Sequence, residues 1–229
     1  FRCKWYFMMK KINIAIDGPS AAGKSTISKK VAKSLNYIHL DSGAMYRSAA
    51  YKALKENIDL ADEEKLVKML QKTTIQLTVD GRVLLDNEDV SKEIRTEQIS
   101  MSASLISKLS GVREILVAEQ RKMALDKGYI MDGRDIGTVV LKDAEVKIFL
   151  TASVEARAKR RYLQDKEAGM DVSLEVLKEE IEKRDYQDTH REVSPLKKAD
   201  DAIVVDSSDL SIDEVVSEIL DIINKKVLE

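Results

Sequence analysis

A glycine-framed run, Gly18-Pro19-Ser20-Ala21-Ala22-Gly23-Lys24-Ser25, stands between a short β-branched apolar stretch and an amphipathic one. Upstream, Ile12-Asn13-Ile14-Ala15-Ile16 reads as a buried parallel strand. Downstream, Ile27, Val31 and Leu35 recur at helical spacing, and Asn36 suits the left-handed residue that closes a helix. Strand, loop and helix in that order restrict the chain to folds in which a strand delivers its loop to a helix N-terminus. The run matches G-x-x-x-x-G-K-[ST], whose physics is anion binding. Its glycines let backbone N–H groups turn inward, and the helix end adds partial positive charge. Lys24 is placed to reach the β- and γ-phosphates of a nucleoside triphosphate, and the Ser25 hydroxyl to ligate Mg²⁺. Gly18 through Thr26 is therefore the candidate triphosphate cradle.

Four further segments resemble the first strand: Tyr37–Leu40, Tyr129–Met131, Val146–Leu150 and Ala202–Val205. Each ends at or near a polar residue (Asp41, Asp132, Thr151, Asp206) and leads into a helical pattern. Strands alternating with helices predict an α/β fold, a five-stranded parallel sheet covered on both faces. Ligands of such sheets bind beyond the carboxyl ends of the strands, so Gly18–Ser25, Asp41–Arg47 and Asp132–Gly137 are expected along one rim. The final helix is marked by an apolar stripe of Ile212, Val215, Val216, Ile219, Leu220, Ile223 and Val227. Ser211 and Glu214 form a capping box ahead of it.

Residues 75–109 break the alternation. Ile75, Leu77 and Val79 alternate with polar residues, Asp80-Gly81 makes a hairpin turn, and Val83 and Leu85 follow. A serine-rich helical stretch comes next. We read this as a small α+β insert within a single domain of residues 9–229. Forty acidic residues against 38 basic ones, a net charge of −2, argue against a polyanion-binding surface. No nucleic-acid partner is expected. The single cysteine, Cys3, fits a reducing compartment. Residues 1–8 read as a non-native or disordered extension, with Met8 or Met9 as a natural start. No apolar stretch of membrane-spanning length follows, so a soluble, cytoplasmic protein is expected; a monomer is expected as its state.

The discriminating residues lie outside the glycine loop. Neither the D-x-x-G nor the N-K-x-D string of a GTPase occurs. Arginines instead flank the rim: Arg47 after Asp41-Ser42-Gly43-Ala44-Met45-Tyr46, Arg134 within Asp132-Gly133-Arg134-Asp135, and Arg184 and Arg191 around Asp185 and Asp188. Arginine's planar fork matches phosphate oxygens bidentately, so these positions suggest a second, phosphate-bearing substrate.

At this point the sequence resembles the bacterial-type cytidylate kinases, nucleoside monophosphate kinases of the P-loop superfamily. The matching strings are Ile16-Asp17-Gly18-Pro19-Ser20-Ala21-Ala22-Gly23-Lys24, Leu40-Asp41-Ser42-Gly43-Ala44-Met45-Tyr46-Arg47 and Glu93-Ile94-Arg95-Thr96. They continue with Asp132-Gly133-Arg134-Asp135-Ile136-Gly137-Thr138-Val139-Val140, Val146-Lys147-Ile148-Phe149-Leu150 and Arg184-Asp185 through Pro195-Leu196. Ser25 stands where many members have glycine. The resemblance implies transfer of the γ-phosphoryl group of ATP to CMP or dCMP, with Mg²⁺. It implies that Arg47, Arg134 and Arg191 hold the acceptor phosphate, and that Arg184 and Asp188 contact its ribose. Ser104, Arg113 and Asp135 would read the cytosine ring, with Ser42 among the acceptor-binding residues. It identifies residues 157–172 as a lid whose Arg157, Arg160 and Arg161 close over the ATP phosphates. Lys24, Arg134, Arg160 and Arg191 are the implied catalytic cations. Asp132 offers either a water-mediated contact to Mg²⁺ or a hydrogen bond to the backbone of Ser42 or Arg134. Rival expectations are another small-molecule kinase on this fold, for UMP or shikimate, and a non-catalytic nucleotide sensor.

Overall fold

The structure is a computed structural model that describes residues 11–228; the proposed extension of residues 1–8, with Cys3, lies outside them. The chain forms two compact units, one made of residues up to Ile38 and from Lys127 onward, the other spanning His39–Asp126.

The first unit is built on β1 (Asn13–Asp17), β6 (Tyr129–Gly133), β7 (Val146–Thr151) and β8 (Ile203–Asp206); with β2 (Ile38–Asp41) they make a five-stranded sheet in the order β2-β6-β1-β7-β8. All five residues of β1 are buried, which fits a β-branched strand at the centre of the sheet, covered on both faces. It pairs in parallel with β6 from Asn13↔Tyr129 to Asp17↔Gly133 and with β7 from Ile14↔Val146 to Asp17↔Phe149. This register sets Asp17, Gly133 and Phe149 side by side, so the loops leaving β1 and β6 start from one rim. The core beneath includes Ile14, Ile16, Ile27, Val31, Ile148, Leu150, Val205, Ile219 and Ile223.

Helix α1 (Lys24–Leu35) ends on Asn36 in the left-handed conformation, as the sequence predicts. The capping box of α8 (Ile212–Leu228) also forms: Ser211 Oγ accepts the Glu214 N–H at 3.3 Å and Glu214 Oε2 accepts the Ser211 N–H at 2.8 Å. Ile212 departs from the predicted stripe. It occupies the first turn and is 47% exposed, while Val215, Ile219 and Ile223 carry the packing. Helices α6 (Val154–Glu167) and α7 (Leu174–His190), each capped by a serine, pack through Ala158, Leu177 and Ile181.

The second unit contains α2 (Ser42–Lys55), α3 (Glu63–Leu70), strands β3 (Ile75–Leu77), β4 (Val83–Leu85) and β5 (Glu88–Asp89), then α4 (Glu97–Ile106) and α5 (Ser110–Met123). The predicted hairpin is present, with β3 and β4 antiparallel from Ile75↔Leu85 to Leu77↔Val83, and the serine-rich stretch is helical. Two details differ from the sequence reading. Strand β5 adds a third member, and Val79 leaves the alternation at 80% exposure. The backbone closes early, the Thr78 N–H donating to the Arg82 carbonyl at 3.0 Å, which puts Val79 at the tip of the turn. The apolar core of this unit also draws on Met45 and Ala49 of α2, Leu66 of α3 and Leu116 of α5.

A Cβ at Gly18 would fall on the Leu150 carbonyl oxygen, well inside van der Waals contact, and the residue sits at φ +154°. Both obstacles are backbone, so neither relaxes cheaply. Gly18→Ala is expected to lower stability by about 3 kcal/mol or more. Urea unfolding checks this; an unshifted midpoint would refute the close approach of the loop to β7.

Candidate functional site

The loop after β1 is shaped for an anion. Gly23 caps α1 at φ +87° without a side-chain hydrogen bond, and the first turn of the helix carries no acidic residue. Its leading N–H groups thus face no competing acceptor of their own turn. Lys24 is buried, and its Nζ donates to the carbonyls of Gly18 at 2.8 Å and Pro19 at 2.6 Å. Burial pulls the Lys24 pKa well below the ordinary lysine value and the Arg134 charge adds to that, while Asp132, Asp17 and Asp188 oppose it. The lysine is therefore held in a pocket that an incoming polyanion would relieve.

Ser25 Oγ donates to Asp132 Oδ2 at 2.8 Å. The sequence reading offered Asp132 a metal or a backbone partner; the structure adds the Ser25 hydroxyl. Hydroxyl and carboxylate oxygens are the hard donors that Mg²⁺ takes. Among the described residues no group of three or more His, Cys, Asp or Glu side chains could cage a metal. A cation bound here would share its coordination with phosphates and water, as Mg²⁺ does at nucleotide sites.

A second charged cluster follows β6. Arg134 Nε donates to Asp188 Oδ2 at 2.7 Å, joining the rim to the end of α7. Burial alone would raise the Asp188 pKa, but Arg134, then Arg184 and Arg191, hold it below the usual carboxylate value. Arg191 Nη2 lies 3.9 Å from Asp135 Oδ1, both side chains nearly buried. The segment after α7 folds back, with the Leu196 N–H on the Asp188 carbonyl at 2.7 Å. The structure thus gathers Arg134, Asp135, Arg184, Asp188 and Arg191 within one unit.

The three lid arginines have different partners. Arg157 is buried and its fork is occupied by protein: Nε donates to the Ala152 carbonyl at 2.9 Å, Nη1 to the Ser20 carbonyl at 3.1 Å, and Nη2 pairs with Asp185 at 2.7 Å. It braces the phosphate loop from outside. Arg160 donates to Ser207 Oγ at 3.1 Å and to the Ser207 carbonyl, and Arg161 pairs with Asp165 at 3.0 Å. Arg160 is held through both Nη groups, whereas Arg161 uses only its Nε.

In the second unit, Asp41 caps α2 by accepting the Ala44 N–H at 3.0 Å and pairs with Arg47 at 2.8 Å. Burial would raise its pKa, but Arg47, the Ala44 N–H and His39 hold it low. Ser42 is buried at the start of this helix. Arg113 stacks over Tyr46, its Cζ 5.7 Å from the ring centroid, and donates to the Ser107 carbonyl at 3.2 Å. The Ser107 hydroxyl in turn bonds the Ser104 carbonyl at 2.9 Å, so Ser104 and Arg113 are joined through Ser107. His190 is exposed and stacked on Tyr186, the ring centroids 3.9 Å apart.

Sequence reasoning missed Asp17. Its Oδ1 accepts the Ile136 N–H and its Oδ2 the Gly137 N–H, both at 2.8 Å. Its signal was an acidic residue ending a buried strand, where a charge is unwelcome unless it is satisfied.

A sequence model described as cytidylate kinase matches residues 14–225. The cytidylate kinase of Caldicellulosiruptor bescii is 56% identical over 96% of this chain and 98% of its own length. That of Bacillus subtilis is 53% identical over 96% of this chain and 99% of its own. A solved structure of an uncharacterized protein from Eubacterium ventriosum, 14% identical, shares the fold at a TM-score of 0.53 over 94% of this chain and 99% of that one.

The charge balance at Asp17 has a consequence for pH. Burial, with the Asp135 charge beyond it, pushes its pKa up to about 6, against the two N–H bonds and Lys24. A folded-state value above the unfolded one means that the folded chain binds the extra proton between about pH 4 and 6. This group's contribution to stability therefore falls as pH rises through that window. A shift of roughly two pH units corresponds to about 3 kcal/mol. Asp17→Asn removes this titrating group, so the difference in unfolding free energy, wild type minus variant, should decline from pH 4 to 6 and then level off. A flat difference across that window would refute the assignment.

Proposed function

Because the chain belongs to the cytidylate kinase family, we propose that it transfers the γ-phosphoryl group of ATP to CMP or dCMP, giving ADP and CDP or dCDP. The observation that carries this reading is the pairing, in one unit, of a Lys24 phosphate loop with the Arg134–Asp188 and Arg191–Asp135 cluster. A nucleotide sensor needs the loop alone. Two adjoining cationic sites fit a donor and an acceptor phosphate.

Phosphoryl transfer asks little covalent help of a protein; positioning and cationic charge supply most of the rate. Lys24 neutralises charge on the β- and γ-phosphates, supported by the α1 N-terminus. Ser25 and Asp132, joined through the Ser25 hydroxyl, would be the residues to hold an oxygen-ligated Mg²⁺ arriving with the nucleotide, which would supply positive charge against that of the phosphates. Arg134 and Arg191 are proposed to hold the acceptor phosphate. Arg184 and Asp188 take the ribose, and the two partners Asp188 already has, Arg134 and the Leu196 N–H, fix its carboxylate and backbone. Asp135 is proposed to read cytosine, whose N4 amino group donates where uracil O4 can only accept. No group is assigned as general base. Arg160 and Arg161 reach the ATP phosphates after releasing Ser207 and Asp165, and lid closure excludes water. No helix among the described residues is long and apolar enough to cross a membrane.

A coupled ADP-release assay with ATP against CMP, dCMP, UMP, AMP and shikimate tests the assignment, with turnover expected on CMP and dCMP far above the rest. Turnover on shikimate or UMP alone would transfer the chain to another activity. Lys24→Ala is expected to reduce kcat on the order of 10³-fold, since its charge acts mainly in the transition state. Near-normal turnover in the folded variant would remove the loop from the mechanism. Asp135→Asn should shrink the CMP:UMP ratio of kcat/KM by at least about tenfold, or roughly 1.4 kcal/mol. An unchanged ratio would move base recognition elsewhere.

A further inference from the structure

Asp17 takes no part in the reaction as assigned, yet its carboxylate joins the two halves of the site. Both oxygens are used: Oδ1 by the Ile136 N–H and Oδ2 by the Gly137 N–H, each at 2.8 Å. Those two residues open a π-turn, Ile136–Val140, directly after Arg134 and Asp135. The turn has no side-chain cap of its own, and Asp135 enters it at φ −143°, ψ 26°, outside regular helix or strand. On its other side Asp17 is covalently joined to Gly18, whose carbonyl receives the Lys24 ammonium. One side chain therefore sets the acceptor-side turn against the donor-side loop.

We propose that Asp17 is a positioning residue for the acceptor: its carboxylate clamps the 134–137 turn so that Arg134 and Asp135 are presented at a fixed distance from the Lys24 loop. The inference rests on the reading above that Arg134 and Asp135 bind the acceptor.

A filler role does not account for this residue. Burying a carboxylate is costly, and a neutral side chain would close the same space. The Asp135 charge opposes Asp17, and the Lys147 methylenes pack on Gly137 while the Lys147 ammonium is taken by Asp201 at 2.9 Å. Lys24 is the cation that acts on Asp17 favourably, and it belongs to the phosphate loop. What the carboxylate supplies, and an amide does not, is two acceptor oxygens for two adjacent N–H donors. Asparagine would present an NH₂ group to one of them.

The full-length chain with Asp17→Asn is compared with wild type in steady state, varying CMP and ATP in turn. KM for CMP is expected to rise about tenfold and KM for ATP to stay within about twofold, because the loop hydrogen bonds are lost while the phosphate cradle stays. A purely structural role would move both constants together or neither, and either result overturns the proposal. Gly137→Ala reaches the same contact from the other side: its Cβ would stand 3.4 Å from Asp17 Oδ2 and 3.1 Å from Lys147 Cδ. It should give the same split, and it carries the test if Asp17→Asn does not fold. Arg134→Ala separates the acceptor assignment from the positioning role. If it leaves the CMP KM unchanged, the acceptor assignment fails and this inference with it. If it raises that KM while Asp17→Asn does not, only the positioning role is overturned. When both raise it, the double variant should fall short of the product of the single effects; full multiplicativity refutes action through Arg134.

Discussion

The end of β1 is where the molecule's two requirements meet. A strand buried on both faces can carry no unsatisfied charge, yet the chain must leave that strand into a loop dense with charge. Asp17 resolves the conflict by accepting two backbone N–H bonds from the next rim loop. Everything beyond it follows from the parallel register, which places Asp17 beside Gly133 and so draws the loops after β1 and β6 together. Had β6 slipped by one residue, Asp132 would point to the other face and Ser25 would lose its partner.

Charge is arranged in compensating pairs around this edge. Lys24 is pulled down by burial but supported by Asp132, Asp17 and Asp188. Arg134 leans on Asp188, and Arg157 on Asp185 with the Ser20 carbonyl. Preorganised charges of this kind cost stability in the free protein and lower the reorganisation needed when phosphates arrive. The bonds holding Arg160 and Arg161 are of another type, partly exposed and therefore exchangeable.

The second unit shows the same logic on a smaller scale. Asp41 serves at once as helix cap and as anchor for Arg47, so the guanidinium is aimed by the first turn of α2. Arg113 lies over Tyr46 and is tethered through Ser107 to Ser104. These pairs fix two arginine planes within a unit whose core is otherwise apolar.

The phosphate loop, the parallel strands, the Asn36 cap and the Ser211–Glu214 box were legible in the sequence because each depends on neighbours within a few positions. Local period and local caps need no tertiary partner. The arginine clusters were legible as types, and the family strings gave their expected roles. Val79, Ile212 and β5 were misjudged or missed because a short alternation or stripe carries no information on where the chain turns. The Ser25–Asp132 and Asp17–Ile136 contacts bridge more than a hundred positions. So do the bonds from Arg157 to Ser20, while those from Arg160 to Ser207 cross nearly fifty. Such pairings exist only once the sheet register is set. The sequence determined which groups would stand on the rim. Only the folded sheet decided which of them would touch, because parallel strands join residues by register and not by proximity along the chain.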